Sequence, residues 1–166
     1  AGVLTDGDGR DLTGAFREDW RARMERLDDD GVRSGDVAAA FGGDSADRHG
    51  DAAFVLDGSA SLRWGSESAL LADVAAAQLL AGRLDEWSGY DRDTRRSVLM
   101  GLRLCLETCP GCGGPVRTDE DRVDPCCERP HLVADAVCAD CGAALADAAV
   151  VDDGDNTTVR ATLLER

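Results

Sequence analysis

Along residues 11–28, Leu12, Phe16, Trp20, Met24 and Leu27 recur at helical spacing while Arg17, Glu18, Arg21 and Glu25 occupy the other faces, and Asp28 to Gly31 break the pattern. The spacing predicts an amphipathic helix that buries one face. A short second helix is expected over Ser34–Phe41, with Ser34 as its N-cap and Gly42 just past its end. The Gly-, Asp- and Ser-rich stretch 42–50 predicts a loop, and Ala52 to Leu56 a brief strand. From Ser66 to Leu84 the stripe Leu70, Leu71, Val74, Ala77, Ala81 and Leu84, helped by further alanines, predicts the best-formed helix of the chain. Another is expected from Asp91 to about Thr108, with Val98, Leu99, Leu102, Cys105 and Leu106 turned inward, so that its last turn delivers the chain to Cys109.

The pattern changes near residue 108. All seven aromatic residues precede it and six of the seven cysteines follow it. Between Cys109 and Val150 the large apolar side chains are few: Val116, Val123, Leu132, Val133, Val137, Leu145 and Val150. At about 25 cal/mol per Å² buried, such a set does not readily offset an ordering cost of about 1.5 kcal/mol per residue. After Val151 come Asp152, Asp153, Asp155 and Asn156, then a mildly apolar end at Val159, Leu163 and Leu164. The expected organisation is α+β: a mainly α-helical domain over residues 1–108, a small β-ribbon module over 109–150, and an acidic tail or final strand over 151–166.

The metal enters because the weak ribbon carries two matching turns, Cys109-Pro-Gly-Cys-Gly and Cys138-Ala-Asp-Cys-Gly. A C-x-x-C turn presents two sulfurs to one ion, and two such turns complete a tetrahedral site. Gly113 and Gly142 suit the backbone after the second cysteine, where positive φ or close approach to sulfur is needed. Cys109, Cys112, Cys138 and Cys141 are therefore the predicted ligands of one structural Zn2+, with no open position for water and hence no hydrolytic role. A redox dithiol would want a strand before the pair and a helix after it, which neither pair has. Cys126, Cys127 and His131 fit three readings: a substitute ligand, an incomplete second site, or buried thiols lining the hairpin, the last being preferred. Cys105 reads as a small core hydrophobe and His49 as exposed.

Composition changes the electrostatics. Every one of the 18 basic residues is Arg, Ile and Lys are absent, Asp far outnumbers Glu, and the net charge is −15. This usage looks like that of salt-in haloarchaea, where acidic surfaces keep proteins hydrated. At 1 M salt the Debye length falls to about 3 Å, so the charge excludes anionic partners less firmly than it would in dilute buffer. The form C-P-x-C-G-G-x-V, C-C and C-x-x-C-G, here Cys109 to Val116, Cys126 with Cys127, and Cys138 to Gly142, resembles a group of uncharacterised haloarchaeal proteins with a helical front and a C-terminal zinc ribbon. That resemblance covers the back part well and the front in outline, and it implies the metal without implying an activity.

No segment approaches the roughly 20 apolar residues of a membrane span, and residues 1–10, with Asp6 and Asp8, lack the basic and apolar regions of a signal peptide, so a cytoplasmic protein is expected. The leading reading is a non-catalytic zinc-ribbon binding or adaptor module that contacts a protein or a macromolecular assembly such as the ribosome or the transcription machinery. Direct nucleic-acid binding by the ribbon is disfavoured: Arg117, Arg122 and Arg129 face eight carboxylates, and there is no aromatic on which a base could stack. An alternative is a helix-turn-helix regulator, because Leu27 to Gly42 resembles the first two helices of such a domain, although Asp44, Asp47, Gly50 and Asp51 then stand where a recognition helix belongs. Arg92, Arg95, Arg96 and Arg103 form a basic cluster that fits an RNA or acidic partner, with a solvated, carboxylate-neutralised surface as the stronger reading. An enzyme is the third class; no nucleophile triad, phosphate loop or dinucleotide fingerprint supports it.

Overall fold

A computed structural model describes residues 2–4, 11–152, 154 and 158–164. Asp6, Asp8, Asp153, Asp155 and Asn156 lie outside the described residues.

The first helix, α1, spans Gly14–Asp30 and starts where Thr13 Oγ1 accepts the Phe16 amide at 3.3 Å. Its periodic face, Phe16, Trp20, Met24 and Leu27, is buried as the spacing requires, each side chain contributing about 1.5–3 kcal/mol. The buried Trp20 indole finds its obligatory partner in the Ala72 carbonyl at 2.9 Å. Helix α2 covers Ser34–Phe41 and ends at Gly42, whose φ of 68° is the left-handed stop expected there. Ser34 is the first helical residue and not the cap; the Asp36 carboxylate reaches back to the Arg33 amide at 3.0 Å.

The chain then departs from the expected loop. Strands β1 (Ala46–Gly50), β2 (Ala53–Leu56) and β3 (Ala60–Arg63) form an antiparallel meander, β1-β2-β3. Of this small sheet only β2 was legible, because β1 buries Ala46 alone and is fixed by pairing with β2. Asp57 seats the sheet's entry by accepting the amides of Asp44 and Ser45 at 2.9 and 3.0 Å. The meander occupies the place after α2 where a helix-turn-helix domain would carry its recognition helix.

Helix α3 (Glu67–Arg83) is the centre of the molecule. Ser66 caps it, accepting the Ala69 amide at 3.1 Å, and ten of its residues are buried, Asp73 among them. A 3-10 turn at Asp85–Gly89 leads to α4 (Arg92–Arg103), capped by Asp91 through the Thr94 amide at 2.8 Å. This helix stops five residues earlier than its apolar spacing implies. The chain must straighten there: Thr108 bridges Pro115, and the Glu107 carbonyl accepts the Val116 amide at 3.0 Å.

The back part is a second antiparallel sheet of β4 (Val116–Val123), β5 (His131–Cys138) and β6 (Ala144–Val151), in that order. Ala134, Ala136, Leu145, Ala146, Ala148 and Val150 are buried in the same continuous core as the front helices. These side chains are mostly small, which lets the sheet lie close to its neighbours: β6 touches α3 and α4, and both β5 and β6 touch the last helix. That helix, α5 (Val159–Leu164), stands where an acidic tail or final strand was expected. Its Leu163 and Leu164 cover Gly101 of α4, where an added Cβ would come within 2.9 Å of Leu164.

The basic cluster also resolves differently from a nucleic-acid patch. Arg95 is buried and donates to the carbonyls of Ala39, Ala40, Ser88 and Tyr90, so its charge sits at the C-terminal end of α2, where a cation is favoured. Arg103 is buried as well, whereas Arg92 lies 3.5 Å from Asp57.

Candidate metal centre

Each cysteine turn is built by the same backbone device. In the first, the Gly113 amide donates to the Cys109 carbonyl at 2.9 Å and the Cys109 amide donates to the Gly114 carbonyl at 2.8 Å. In the second, the Gly142 amide donates to the Cys138 carbonyl at 3.0 Å and the Cys138 amide to the Ala143 carbonyl at 3.0 Å. Gly113 and Gly142 both take φ of 73°, the left-handed conformation that side chains rarely adopt and that lets the chain fold back under its own sulfurs.

The sheet brings the turns together. Cys109 and Cys112 precede β4, Cys138 ends β5, Cys141 precedes β6, and Val116 pairs directly with Cys138. All four Sγ atoms lie within 4.8 Å of one another, with Cys109 and Cys141 3.8 Å apart and Cys112 and Cys138 3.4 Å apart. Cys109 and Cys138 are buried; Cys112 and Cys141 face outward. Among the described residues no other group of three or more such side chains converges in this way.

The surroundings favour thiolate. The Gly114 amide donates to Cys112 Sγ at 3.4 Å and the Cys141 amide to Cys138 Sγ at 3.5 Å, so backbone dipoles already point at negative sulfur. The Cys141 amide, aided by that of Asp140 and by the neighbouring thiols, pulls Cys138 down to about 6. At Cys112 the Gly114 amide acts in the same sense, but the other sulfurs outweigh it and push the thiol up to about 12; Cys141 is also raised. One sulfur ionises easily and then holds its neighbours neutral. Four sulfurs this close can all be thiolates only around a cation, which is the donor set of a divalent metal site.

Helix α3 supports the first turn. Ser68 Oγ lies 3.9 Å from Cys109 Sγ, and an added Cβ on Gly111 would come within 2.6 Å of the same oxygen. On the other side Ser66 Oγ donates to the Ala144 carbonyl at 2.8 Å, and Gly65 lies so close to Ala144 that a Cβ would meet its methyl at 2.9 Å. The start of α3 therefore touches both turns. Nothing in the residue types Ser66 and Ser68 marks them for this in the sequence.

Cys126, Cys127 and His131 belong to the opposite end. The β4–β5 connection carries the two cysteines, and β5 starts at His131, seven residues from Cys138. At about 3.3 Å per strand residue this is roughly 23 Å from the cluster, so none of the three can substitute for a ligand. Cys126 and Cys127 are exposed, with sulfurs 3.3 Å apart, and are not the buried thiols preferred from sequence.

A second polar centre went unnoticed in the sequence. Asp73, on α3, is 3 % exposed, pairs with Arg103 Nε at 2.8 Å and accepts Trp64 Nε1 at 2.7 Å, while Arg103 Nη1 donates to the Leu145 carbonyl on β6. Burial raises the Asp73 carboxyl above its ordinary value, although Arg103, Trp64 and Arg96 all pull it down. A signal did exist: Asp73 is a lone carboxylate inside the apolar run Leu70 to Leu80.

An α+β chain with four cysteines clustered at metal-binding distance at the end of its second sheet is the class this architecture defines. Residues 1–104 match the central domain, and residues 107–148 the C-terminal domain, of a family of unknown function, DUF8054, and the chain belongs to that family. No curated protein and no solved structure matches it. No helix among the described residues is long and apolar enough to cross a membrane.

Proposed function

We propose that the chain is a non-catalytic zinc-ribbon binding or adaptor protein of a halophilic archaeon, working in the cytoplasm and contacting a protein or macromolecular assembly. The observation that carries this reading is the convergence of four sulfurs within 4.8 Å. Zinc with Zn–S near 2.3 Å sets tetrahedral sulfurs about 3.8 Å apart, and two of the pairs stand at 3.8 and 3.4 Å. Cys109, Cys112, Cys138 and Cys141 would hold the ion, and four thiolates fill its coordination sphere. Its part is then to lock two turns and the strands they bracket, which is the role of a structural site.

The adaptor role is supported by the face the ribbon presents. Strand β4 is the edge of its sheet and is exposed along nearly its whole length, with Val123 among the exposed large hydrophobics. An edge strand offers unpaired backbone groups to a partner strand. Its Asp119, Glu120 and Asp121 repel phosphate, which favours a protein over a nucleic acid. The helix-turn-helix reading lacks a recognition helix after α2, because the meander stands there and α3 is spent on the core.

The test is an affinity capture of the full chain from the lysate of a halophile at native salt. Reproducible recovery of a defined protein or assembly, weakened by introducing Pro at Asp119 on the β4 edge, supports the adaptor. Recovery of nothing beyond the bait, with turnover or a salt-dependent DNA gel shift instead, refutes it. Elemental analysis of the same preparation checks zinc.

A further inference from the structure

A recess of about 280 Å³ opens between the end of β3, α4, β6 and α5, and none of its lining residues belongs to α1 or to a cysteine turn. Its charged lining is Arg63, Arg96 and Arg103 against Asp73 and Asp147. Arg103 and Asp73 are both buried and neutralise each other as an ion pair. That leaves Arg63 and Arg96, both exposed at the rim, against Asp147 alone. Neither rim arginine has an ion-pair partner among the described residues. In a chain of net charge −15, a concave wall lined by three guanidinium groups against two carboxylates is locally positive, which favours an anionic ligand.

We propose that this recess binds a small organic monoanion: one carboxylate on a short apolar or aromatic body. Arg63 and Arg96 supply planar forks that match a carboxylate in two-pronged fashion. Trp64, Leu62 and Met100 line the remaining wall and receive the apolar body. The charge balance selects the ligand's charge, since two unpaired cations and one carboxylate leave a surplus of one, and Asp147 repels a second negative group. The volume selects its size. Pockets for drug-sized ligands run to about 300–1,000 Å³, so this recess, at the foot of that range, suits a single ring and not a nucleotide. The ion pair at the floor fixes the wall that the ligand meets, because Asp73 ties Trp64 and Arg103 together while Arg103 ties α4 to β6.

Isothermal titration of the full, metal-replete chain at constant ionic strength tests this with benzoate as probe, phthalate as the dianion and benzylamine as the cation. Benzoate is expected to bind saturably at one site, and the double variant Arg63→Ala/Arg96→Ala to weaken it by about tenfold or more. Both substitutions lie at exposed positions, and unchanged helical circular dichroism and zinc content show that the fold persists. Asp147→Asn is expected to improve phthalate relative to benzoate. Absence of saturable benzoate binding, equal binding of benzylamine, or benzoate affinity undiminished in the double arginine variant overturns the proposal.

Discussion

Replacing Arg103 by Met tests the polar centre on which the front helices and the second sheet meet. The Arg103 and Asp73 side chains are only 8 % and 4 % exposed, so solvent screens their interaction little. Met keeps most of the stem's volume but leaves Asp73 as an unpaired buried charge and strips the Leu145 carbonyl of its donor. Removing one partner of a buried pair costs about 3–5 kcal/mol, which in a chain of this length lowers Tm by roughly 6–20 °C. The cost carries a pH signature. Asp73 titrates above its ordinary 3.8 because burial outweighs its partners, so the folded state holds this proton more tightly than the unfolded state does. Stability from this group is therefore full below 3.8 and is lost as pH rises through the folded value. Without Arg103 that folded value climbs further. The variant's deficit is consequently small in acid and widens towards neutral pH, at up to about 1.4 kcal/mol per pH unit within the window. Adding Asp73→Asn removes the lone charge while keeping an acceptor for Trp64, and the double variant is expected to be more stable than Arg103→Met alone at neutral pH. Urea denaturation of zinc-replete protein across the acid-to-neutral range measures all three. A deficit below about 1 kcal/mol, a deficit that does not change with pH, or a double variant no better than the single would refute the reasoning.

Three further outcomes follow from the geometry. Cys138→Ser, which removes the buried sulfur that both cysteine turns approach, is expected to abolish stoichiometric zinc in elemental analysis and to cut hydrogen-exchange protection in β4 before α3 is affected; full zinc content or unchanged protection counts against the site. Gly65→Ala forces a methyl to within 2.9 Å of Ala144 Cβ and 3.1 Å of its carbonyl oxygen and is expected to cost about 1–3 kcal/mol. Gly82→Ala in α3 meets nothing within 4 Å and is expected to stabilise by up to about 1 kcal/mol, so thermal melts of the pair should move in opposite directions.

What the sequence disclosed was periodic or chemically unambiguous. The faces of α1 and α3 repeat over enough turns for the period to stand out, and two C-x-x-C-G turns admit few readings. Elements fixed by distant partners were silent. Strand β1, Ala-Asp-Arg-His-Gly, has neither strand propensity nor alternation and exists because β2 pairs with it. The apolar period of α4 runs on through Cys105 and Leu106, which are buried after all, but in a tightened turn whose amides reach the Leu102 and Arg103 carbonyls before the chain straightens towards Thr108. In α5, Val159, Ala161 and Leu163 are buried at alternate positions, a pattern that reads as a strand yet belongs to a single helical turn and a half. The arginine cluster misled because composition reports charge and not direction: Arg95 and Arg103 point inward to carbonyls and a carboxylate.

The division of labour within the second sheet narrows what a metal must do. Judged by its own large side chains, residues 109–150 lack the apolar area to hold themselves together. Yet β5 and β6 spend their inward faces in the core of the front helices, so those two strands are held by the same burial that holds α3 and α4. Strand β4 has little such support: Val116 alone packs against the core, and the other seven of its eight residues are exposed. Besides the ladder to β5, it is attached by the Val116 amide on the Glu107 carbonyl, the Arg122–Asp152 ion pair at 3.2 Å, the Glu120 carboxylate that accepts the Val159 amide at 2.9 Å, and the cysteine turn at its start. Ion binding would therefore act mainly on the outer strand and the two turns. On the reading proposed above, a partner would meet the element whose order depends most on the four sulfurs, so an ion held there would serve recognition by shaping β4.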